Sequence, residues 1–512
     1  MKVSQYFHPL FFSVYPVLYL YARHQGTINH ADVVLPLLVC FISTAAVLLL
    51  FRVLSGDGIK ASLSVTVLCF AMFTFSSFDS LLFDSAATHS GRTFWFPLLW
   101  FIANTAAVVL VMKSRADNSK AHGFLNFMAL AMLLMSGGGI LHTAIFSESA
   151  VRPAVSLQKG PEILSEEEKQ KLPDVFYLIL DGYARHDTLQ RLYSFDNSDF
   201  MNFLSQSGFF IASQSYANYP QTYLSLASSL NSTRLDSLAE KFSDTNSVQP
   251  LVEMIQNNRL FETLKKWGYR TVAFSSGYSG TEIRTADVYI SRSILGREFT
   301  DTLVNMTFLA ALKLPFFDLS VSQADIHRER IRQTLQEIPE LAFAEPVCVF
   351  AHIICPHPPF VFAADGKPLE QSGRFTLFDG NDWGSDKEAY RKFYTDQLLY
   401  LNRLVKQTVT DILKRPGRPK ILVIQSDHGP GSKLDWQNIE KTDLKERFGI
   451  LHAIYCSDAD YSRLYPEMTP LNTFRIILRR ITGEKFESLP DRSFFAPWIG
   501  RYRFVEITEK LH

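Results

Sequence analysis

The sequence predicts a two-part chain: a bundle of transmembrane helices followed by an α/β domain built on a mostly parallel sheet sandwiched by helices. Two observations carry this. Nearly all the long apolar runs fall before residue 147, whereas the rest of the chain alternates short apolar runs with amphipathic stretches. A sheet covered on both faces by helices produces that second pattern. At 512 residues the chain is long enough for each part to bury its own core.

Five segments have the length and composition to cross lipid: Tyr6–Ala22, Val33–Leu54, Ala61–Phe83, Phe94–Met112 and Gly123–Phe146. Each approaches the ~20 apolar residues that a ~30 Å hydrocarbon core requires. The first is short and carries Pro9 and Pro16, and a cleaved signal peptide is its alternative reading. No clean small-x-small cleavage site follows it, and four more spans come after it. Arg52 and Lys60 lie between spans two and three, and Lys113, Arg115 and Lys120 between spans four and five. By the positive-inside rule those loops are cytoplasmic, so the chain after Phe146 is exported. The domains are therefore residues 1–146 (membrane), 147–172 (linker, with Pro153, Pro161 and the run Glu166-Glu167-Glu168-Lys169) and 173–512 (exported domain).

Lys plus Arg, 51, equals Asp plus Glu, 51, so no charge excess points to nucleic acid. The cysteines form no CxxC pair or disulfide framework, and Cys348, Cys355 and Cys456 read as small buried residues. A transporter is disfavoured because the spans hold few ionisable residues at mid-depth.

In the exported part, Val175–Leu180, Arg270–Phe274, Val347–Ile354, Ile421–Gln425 and Gly449–Cys456 read as buried strands. Asn258–Trp267, Glu388–Leu413 and Pro470–Ile481 read as helices between and after them. In open α/β sheets ligands bind beyond the carboxyl ends of the strands. The first strand runs into Asp181-Gly182-Tyr183 and the fourth into Ser426-Asp427-His428-Gly429. The third contains His352 and leads to His357-Pro358-Pro359-Phe360. Carboxylates and an imidazole gathered at one sheet edge suit a divalent metal, Zn or Mn.

A nucleophile belongs beside such a metal. Asn218-Tyr219-Pro220-Gln221-Thr222 precedes the apolar run Tyr223–Leu230, which sets Thr222 at a helix N-terminus. Free N–H groups there favour an anion such as a phosphoryl group, and a metal would lower the hydroxyl pKa. An ordinary N-cap is the bland alternative. Ser225 and Ser228 are alternative hydroxyls inside the helix. His357 is the candidate donor to a leaving group or to a phosphate oxygen. Tyr278 and Arg284, in the stretch Ser275–Arg284, are candidate substrate contacts, though a surface loop explains them equally well. His352 reads as structural.

Together, the Asp-Gly after the first strand, the Thr opening a helix and the late Asp-His-Gly resemble the alkaline phosphatase/sulfatase superfamily. The five preceding spans make the chain similar to its membrane-anchored phosphoglycerol and phosphoethanolamine transferases, including lipoteichoic acid synthases. The resemblance covers about Pro173–Arg492. It implies an alkaline-phosphatase-like fold, with Asp181, Thr222, Asp427 and His428 as ligands of one metal and Thr222 as nucleophile. It also implies His357 as a phosphate contact, a membrane lipid donor, a cell-envelope glycan acceptor, and a bacterial inner membrane with a periplasmic catalytic domain. The Cys/Ser-x-Pro-x-Arg motif that becomes formylglycine in sulfatases is read as absent, which disfavours sulfate-ester cleavage. A water-using phosphodiesterase or phosphatase is the runner-up, and a non-catalytic scaffold that retains the fold is the alternative of a different class.

Overall fold

The computed structural model describes residues 6–23, 30–83, 89–146, 165–291, 303–304, 306–311, 323–369, 375–379 and 386–511. The chain divides into two compact units, Met1–Ser149 with Ser293–Ser322, and Ala150–Arg292 with Gln323–His512.

The first unit holds α1 (Phe7–Arg23), α2 (His30–Ser55), α3 (Gly58–Phe83), α4 (His89–Lys113) and α5 (Ser119–Phe146). Among the described residues, four helices are long and apolar enough to cross a membrane: Val33–Ser55, Gly58–Phe78, Trp95–Lys113 and Ser119–Leu141. The first helix has 17 residues with Pro16 inside it. Large side chains such as Val53, Leu110 and Met135 are left exposed, as a lipid-facing surface requires. Polar groups are matched within the bundle. His8 bonds Thr66 through Nδ1 at 2.6 Å and His122 through Nε2 at 3.0 Å, which joins α1, α3 and α5.

Residues 293–322 were expected within the exported domain, but they group with this helical unit. Leu303 packs among Val17, Leu20, Tyr21 and Val33, and the Phe308 ring meets Phe75 with centroids 5.0 Å apart. A run as apolar as Phe308-Leu309-Ala310-Ala311 has no place on a polar surface, and the apolar bundle covers it. Of the expected linker, only 165–172 lies within the described residues. It includes the short helix Glu166–Lys171, opened by a capping box from Ser165 to Glu168.

The second unit is built on a seven-stranded sheet of order β2-β7-β6-β1-β5-β3-β4. The strands are β1 (Asp174–Leu180), β2 (Phe210–Ile211), β3 (Arg270–Phe274), β4 (Val288–Ile290), β5 (Val347–Ile353), β6 (Lys420–Gln425) and β7 (His452–Cys456). Parallel pairing runs from β6 through β1, β5 and β3 to β4. β2 and β7 pair antiparallel at one edge. The chain returns from β6 to β7 by a loop and the five-residue helix Leu444–Phe448, without the crossover that parallel pairing needs.

Side chains alternate across β1. Val175, Tyr177 and Ile179 join one core, which includes Leu226 and Phe474. Phe176, Leu178 and Leu180 join the other, which includes Leu398 and Val405. The strands are therefore apolar on both faces, as a sheet between helical layers must be. The arrangement matters for function because β1 lies centrally with β5 and β6 on its two sides. The carboxyl ends of these three strands deliver Asp181, His352 and Asp427 to one place.

A buried ring of hydrogen bonds anchors the loop beyond β1. Asn197 donates to the Tyr183 hydroxyl (3.0 Å), Tyr183 donates to Asn402 Oδ1 (2.7 Å), and Asn402 donates to Asn197 Oδ1 (2.8 Å). Asn402→Ala leaves two buried partners unmatched. We expect it to lower stability by about 1–3 kcal/mol, read as a lower unfolding midpoint in urea for the full-length protein in detergent.

Candidate metal centre and active site

The site is set at the carboxyl end of β1. Asp181 Oδ2 lies 3.1 Å from His352 Nε2, and the other nitrogen of His352 bonds Thr281 Oγ1 at 2.8 Å. The parallel register sets Ile179 beside His352, so this histidine reaches the strand-end carboxylate from the neighbouring strand. Asp181 Oδ1 has no hydrogen-bond partner although it is buried. Asp427 accepts from the Gly182 N–H through Oδ1 at 3.3 Å, and its buried Oδ2 likewise has no partner.

Thr222 opens the helix Thr222–Asn231, with Gln221 as the N-cap residue. The threonine is thus the first helical residue rather than the cap, in the turn whose N–H groups have no partner within the helix. Ser225, one turn on, donates to the Asp427 carbonyl at 2.7 Å and holds the helix against the Asp-His turn. That hydroxyl is committed to structure, and Ser228 is likewise committed, to the Thr233 carbonyl.

His428 Nε2 lies 3.1 Å from Thr222 Oγ1, 3.3 Å from Asp427 Oδ2 and 3.6 Å from Asp181 Oδ1. Four ligand atoms placed about 2.0–2.2 Å from a central ion at tetrahedral angles stand about 3.3–3.6 Å apart. The three distances from His428 Nε2 lie at or near that spacing, and the two orphaned carboxylate oxygens call for a cation, although the groups with ligand geometry among the described residues divide Asp427 from His428. His428 Nδ1 donates to the Gly429 carbonyl at 3.0 Å, which turns the Nε2 lone pair toward the other three. Burial, aided by the Arg447 charge, lowers the His428 pKa and keeps the imidazole neutral, the form a metal needs. Two overlapping groups have ligand geometry, Asp181-His357-His428 and Asp181-His352-Asp427, and both share Asp181.

The turn carrying His428 depends on a glycine. A Cβ at Gly429 would stand 1.9 Å from the Glu446 carbonyl oxygen, because the chain passes directly beneath the helix Leu444–Phe448. Gly182, at φ +70°, makes the opposite turn after Asp181 and lies against His357.

His357 is held by the backbone. Its N–H donates to the Asp181 carbonyl at 3.0 Å, and Gln397 donates to the Pro356 and His357 carbonyls while accepting from Val361 and Phe362. His357 Nε2 lies 3.6 Å from Asp379 Oδ2. Burial would lower the His357 pKa, but Asp181 and Asp379 outweigh it and push the imidazole up to about 9. For Asp181, burial acts upward, yet the His357 charge and the His352 hydrogen bond hold its pKa below the usual carboxylate range.

Arg447 and Asp379 escaped the sequence reading. Arg447 is fully buried and pairs with Asp379. It also donates to the Pro220 carbonyl through Nε at 2.8 Å and to the Gly429 carbonyl at 2.9 Å. One guanidinium thus ties the approach to Thr222, the turn after His428 and the carboxylate facing His357. Neither residue follows a predicted strand, so no motif marked them.

A cavity of about 310 Å³ opens on Asp181, Thr222, His357 and His428, with Tyr223, Tyr278, Trp436 and Trp498 among its walls. Of the two expected substrate contacts, Tyr278 lines the cavity. Arg284 does not: its guanidinium stacks over Tyr289 at 5.0 Å and its N–H is bound by Gln256, so it belongs to the packing beside β4.

A family model described as Sulfatase matches residues 173–451, more than half of the chain. The chain belongs to the sulfatase family. Its members are enzymes of the alkaline phosphatase superfamily. The formylglycine motif needs a correction here, since Ser488-Leu489-Pro490-Asp491-Arg492 satisfies its spelling. Ser488 is exposed beyond the helix Pro470–Thr482 and is not among the residues that line the cavity, where this sulfatase-family chain presents Thr222 instead. No curated protein matches the chain.

Several solved structures are similar. Lipooligosaccharide phosphoethanolamine transferase A of Neisseria meningitidis shares 12% identity over 94% of this chain and 95% of its own, with a TM-score of 0.40. The C-terminal periplasmic domain of EcEptC from Escherichia coli, in complex with Zn, shares 12% over 65% of this chain and 92% of its own, with a TM-score of 0.39. BT1596, a 2-O GAG sulfatase, shares 14% over 65% and 74%, with a TM-score of 0.39.

The His357 charge gives a pH signature. A raised pKa means that the metal-free protein holds the cation until pH rises through about 9, so a binding step that needs this charge should persist toward that value and fall above it. Asp379→Asn removes one of the two anions that raise it. We expect the alkaline limb of kcat/KM to move to lower pH in that variant. Stability should fall by about 3–5 kcal/mol as well, because Arg447 loses its buried partner.

Proposed function

We propose that this chain transfers a phosphate-linked head group, of the phosphoglycerol or phosphoethanolamine type, from a membrane lipid to a cell-envelope glycan. The reading assigns Asp181, Thr222, Asp427 and His428 to one divalent metal, Zn or Mn, and Thr222 to the nucleophile. The observation that carries it is the convergence of the Thr222 hydroxyl with His428 Nε2 at 3.1 Å, beside two carboxylate oxygens that have no partner. A threonine at a helix N-terminus in that company is an activated hydroxyl rather than a cap.

Thr222 Oγ attacks the phosphorus of the lipid phosphodiester. A new Oγ–P bond forms, the bond from phosphorus to the diacylglycerol oxygen breaks, and that oxygen leaves with a proton. The head group then stands on Thr222 as a phosphodiester. An acceptor hydroxyl attacks the same phosphorus, gives up its proton, and restores the free threonine. A bound divalent ion would lower the Thr222 hydroxyl pKa and offset the charge that builds on the phosphoryl oxygens. His357, charged below about 9, donates to a phosphate oxygen or to the leaving oxygen. The N–H groups at the start of the helix Thr222–Asn231 orient the anion. Holding both reactants against one phosphorus can contribute several kcal/mol by proximity, of the ~7–11 kcal/mol available to well-oriented reactions.

The layout matches this chemistry. Four helices are able to cross a membrane, and we read the shorter first helix as a fifth span of an anchor that gives the enzyme access to its lipid donor. With the Lys- and Arg-bearing loops inside, the exported domain is periplasmic, at the bacterial inner membrane.

Peptide mass spectrometry of full-length protein from membranes tests the nucleophile. The Thr222 peptide should carry a head-group phosphate that is absent from Thr222→Ala, and its mass identifies the donor. An unmodified peptide together with free head-group phosphate would assign a water-using hydrolase instead.

A further inference from the structure

The loop that leaves the cavity wall holds two unlike side chains outward. Trp498 lines the cavity, and its N–H donates to the Trp436 carbonyl at 3.1 Å. Just beyond it, Asn246 Oδ1 accepts from the Gly500 and Arg501 N–H groups at 3.1 and 3.3 Å. The Arg503 N–H closes a turn on the Gly500 carbonyl at 2.8 Å. Arg501 and Tyr502 are buried, and the Tyr502 hydroxyl donates to the Ser247 carbonyl at 2.7 Å. The backbone is therefore held at several points. What it leaves outside is Ile499, 71 % exposed, and Arg503. A Cβ at Gly500 would stand 3.2 Å from Arg503 Cδ, so the arginine stem lies over the glycine next to Ile499.

A single exposed apolar side chain is ordinary and needs no explanation. Here they gather. Among the described residues of the second unit, the large apolar side chains left exposed are Phe378, Leu399, Ile499 and Val505. Phe378, 57 % exposed, is part of the cavity wall, and Ile499 directly follows a residue of that wall. The Arg503 charge is also open to a ligand, since Glu506, the next acidic residue along the chain, bonds Arg492 at 3.4 Å.

We infer that Phe378, Trp498, Ile499 and Arg503 form a lip that docks on the periplasmic surface of the membrane. The apolar side chains enter the head-group layer and Arg503 meets lipid phosphate. Aliphatic side chains, a tryptophan and an arginine together are the composition of an interfacial contact. The tether argues for lipid over a soluble partner. Helices able to cross a membrane belong to the same chain, so docking is intramolecular, and a few side chains suffice at the effective concentration a tether provides. A separate protein usually needs about 800 Å² on each side. A glycan gains nothing from Ile499, which offers it no hydrogen-bond partner. The inference goes beyond the transferase reading and stands without it. Docked in this way, the carboxyl ends of the strands face lipid and their amino ends face away.

The test is site-specific quenching in full-length protein reconstituted into vesicles of phosphatidylethanolamine and phosphatidylglycerol. An environment-sensitive fluorophore is placed in turn on Ile499→Cys, on Phe378→Cys and on Lys414→Cys, an exposed position before the amino end of β6. Wild-type protein taken through the same labelling corrects for the native cysteines, of which Cys348, Cys355 and Cys456 are buried. Lipids brominated near the head of the acyl chain should quench the probes at 499 and 378 and leave the probe at 414 unchanged. Ile499→Asp should weaken quenching at 378. Exchanging phosphatidylglycerol for phosphatidylcholine should weaken quenching at 499, and Arg503→Gln should remove that dependence on lipid charge. A probe at 499 quenched no more than the probe at 414 overturns the inference. So does a probe shielded from water yet untouched by brominated lipid, which would mark a glycan or protein contact. Quenching needs no turnover, so the two readings fail separately. Quenching at 499 in a protein that never forms a Thr222 adduct would remove the transfer reading alone, and an adduct formed with position 499 in water would remove the docking alone.

Discussion

Two carboxylates buried at adjacent strand ends, each with an oxygen that no protein group satisfies, set the terms for the site. Burying a bare carboxylate costs several kcal/mol, and two side by side repel one another. Histidines offset part of this for Asp181: His352 from the neighbouring strand and the charged His357 from the following loop. The remaining oxygens point to where His428 Nε2 and the Thr222 hydroxyl also point. A divalent cation would compensate the charge and satisfy those oxygens together. The sheet topology makes the cluster possible, since β1 brings its own end between those of two parallel neighbours, β5 and β6.

The outer support of the site is one arginine. Arg447 is fully buried and bonded to Asp379 and to two backbone carbonyls, one before Thr222 and one after His428. A buried ion pair adds little net stability when compared with apolar packing, but losing one partner is costly. Here the pair fixes relative positions. The turn before Thr222, the turn after His428 and the carboxylate opposite His357 cannot move independently. The same guanidinium covers Trp436, so the cavity wall is coupled to the Asp181–His428 cluster.

Much of this was legible in the residues. Strand-end Asp181 and Asp427-His428 stood out because an apolar run of strand length ended directly on them, and the observed strands end at Leu180 and Gln425. Thr222 was legible from an apolar helical run preceded by Pro220 and Gln221. His357 was legible from its Pro-rich turn, but its control by Asp379 was not, because that contact crosses between loops with no periodicity. His352 was read as structural. It does orient Asp181, and only the parallel register places the two side by side. Arg284 misled because it shares a stretch with Tyr278, yet the 3-10 turn Ser279–Thr281 separates them, and Arg284 ends beside Tyr289 instead of in the cavity. Trp436 and Trp498 on the cavity wall carry no local signal, since they meet only through tertiary packing. Residues 303–311 were assigned to the exported domain by position in the chain, and the apolar character of that run sends them to the helical unit.

Zinc-edge X-ray absorption of the purified full-length protein tests the central claim most directly, because it reports the ligand atoms themselves. The account predicts one zinc per chain in a single first shell of about four oxygen and nitrogen atoms at ~2.0–2.2 Å, with the outer scattering of one imidazole. A sulfur ligand, a shell dominated by several imidazoles, or a protein that holds neither zinc nor manganese would contradict it.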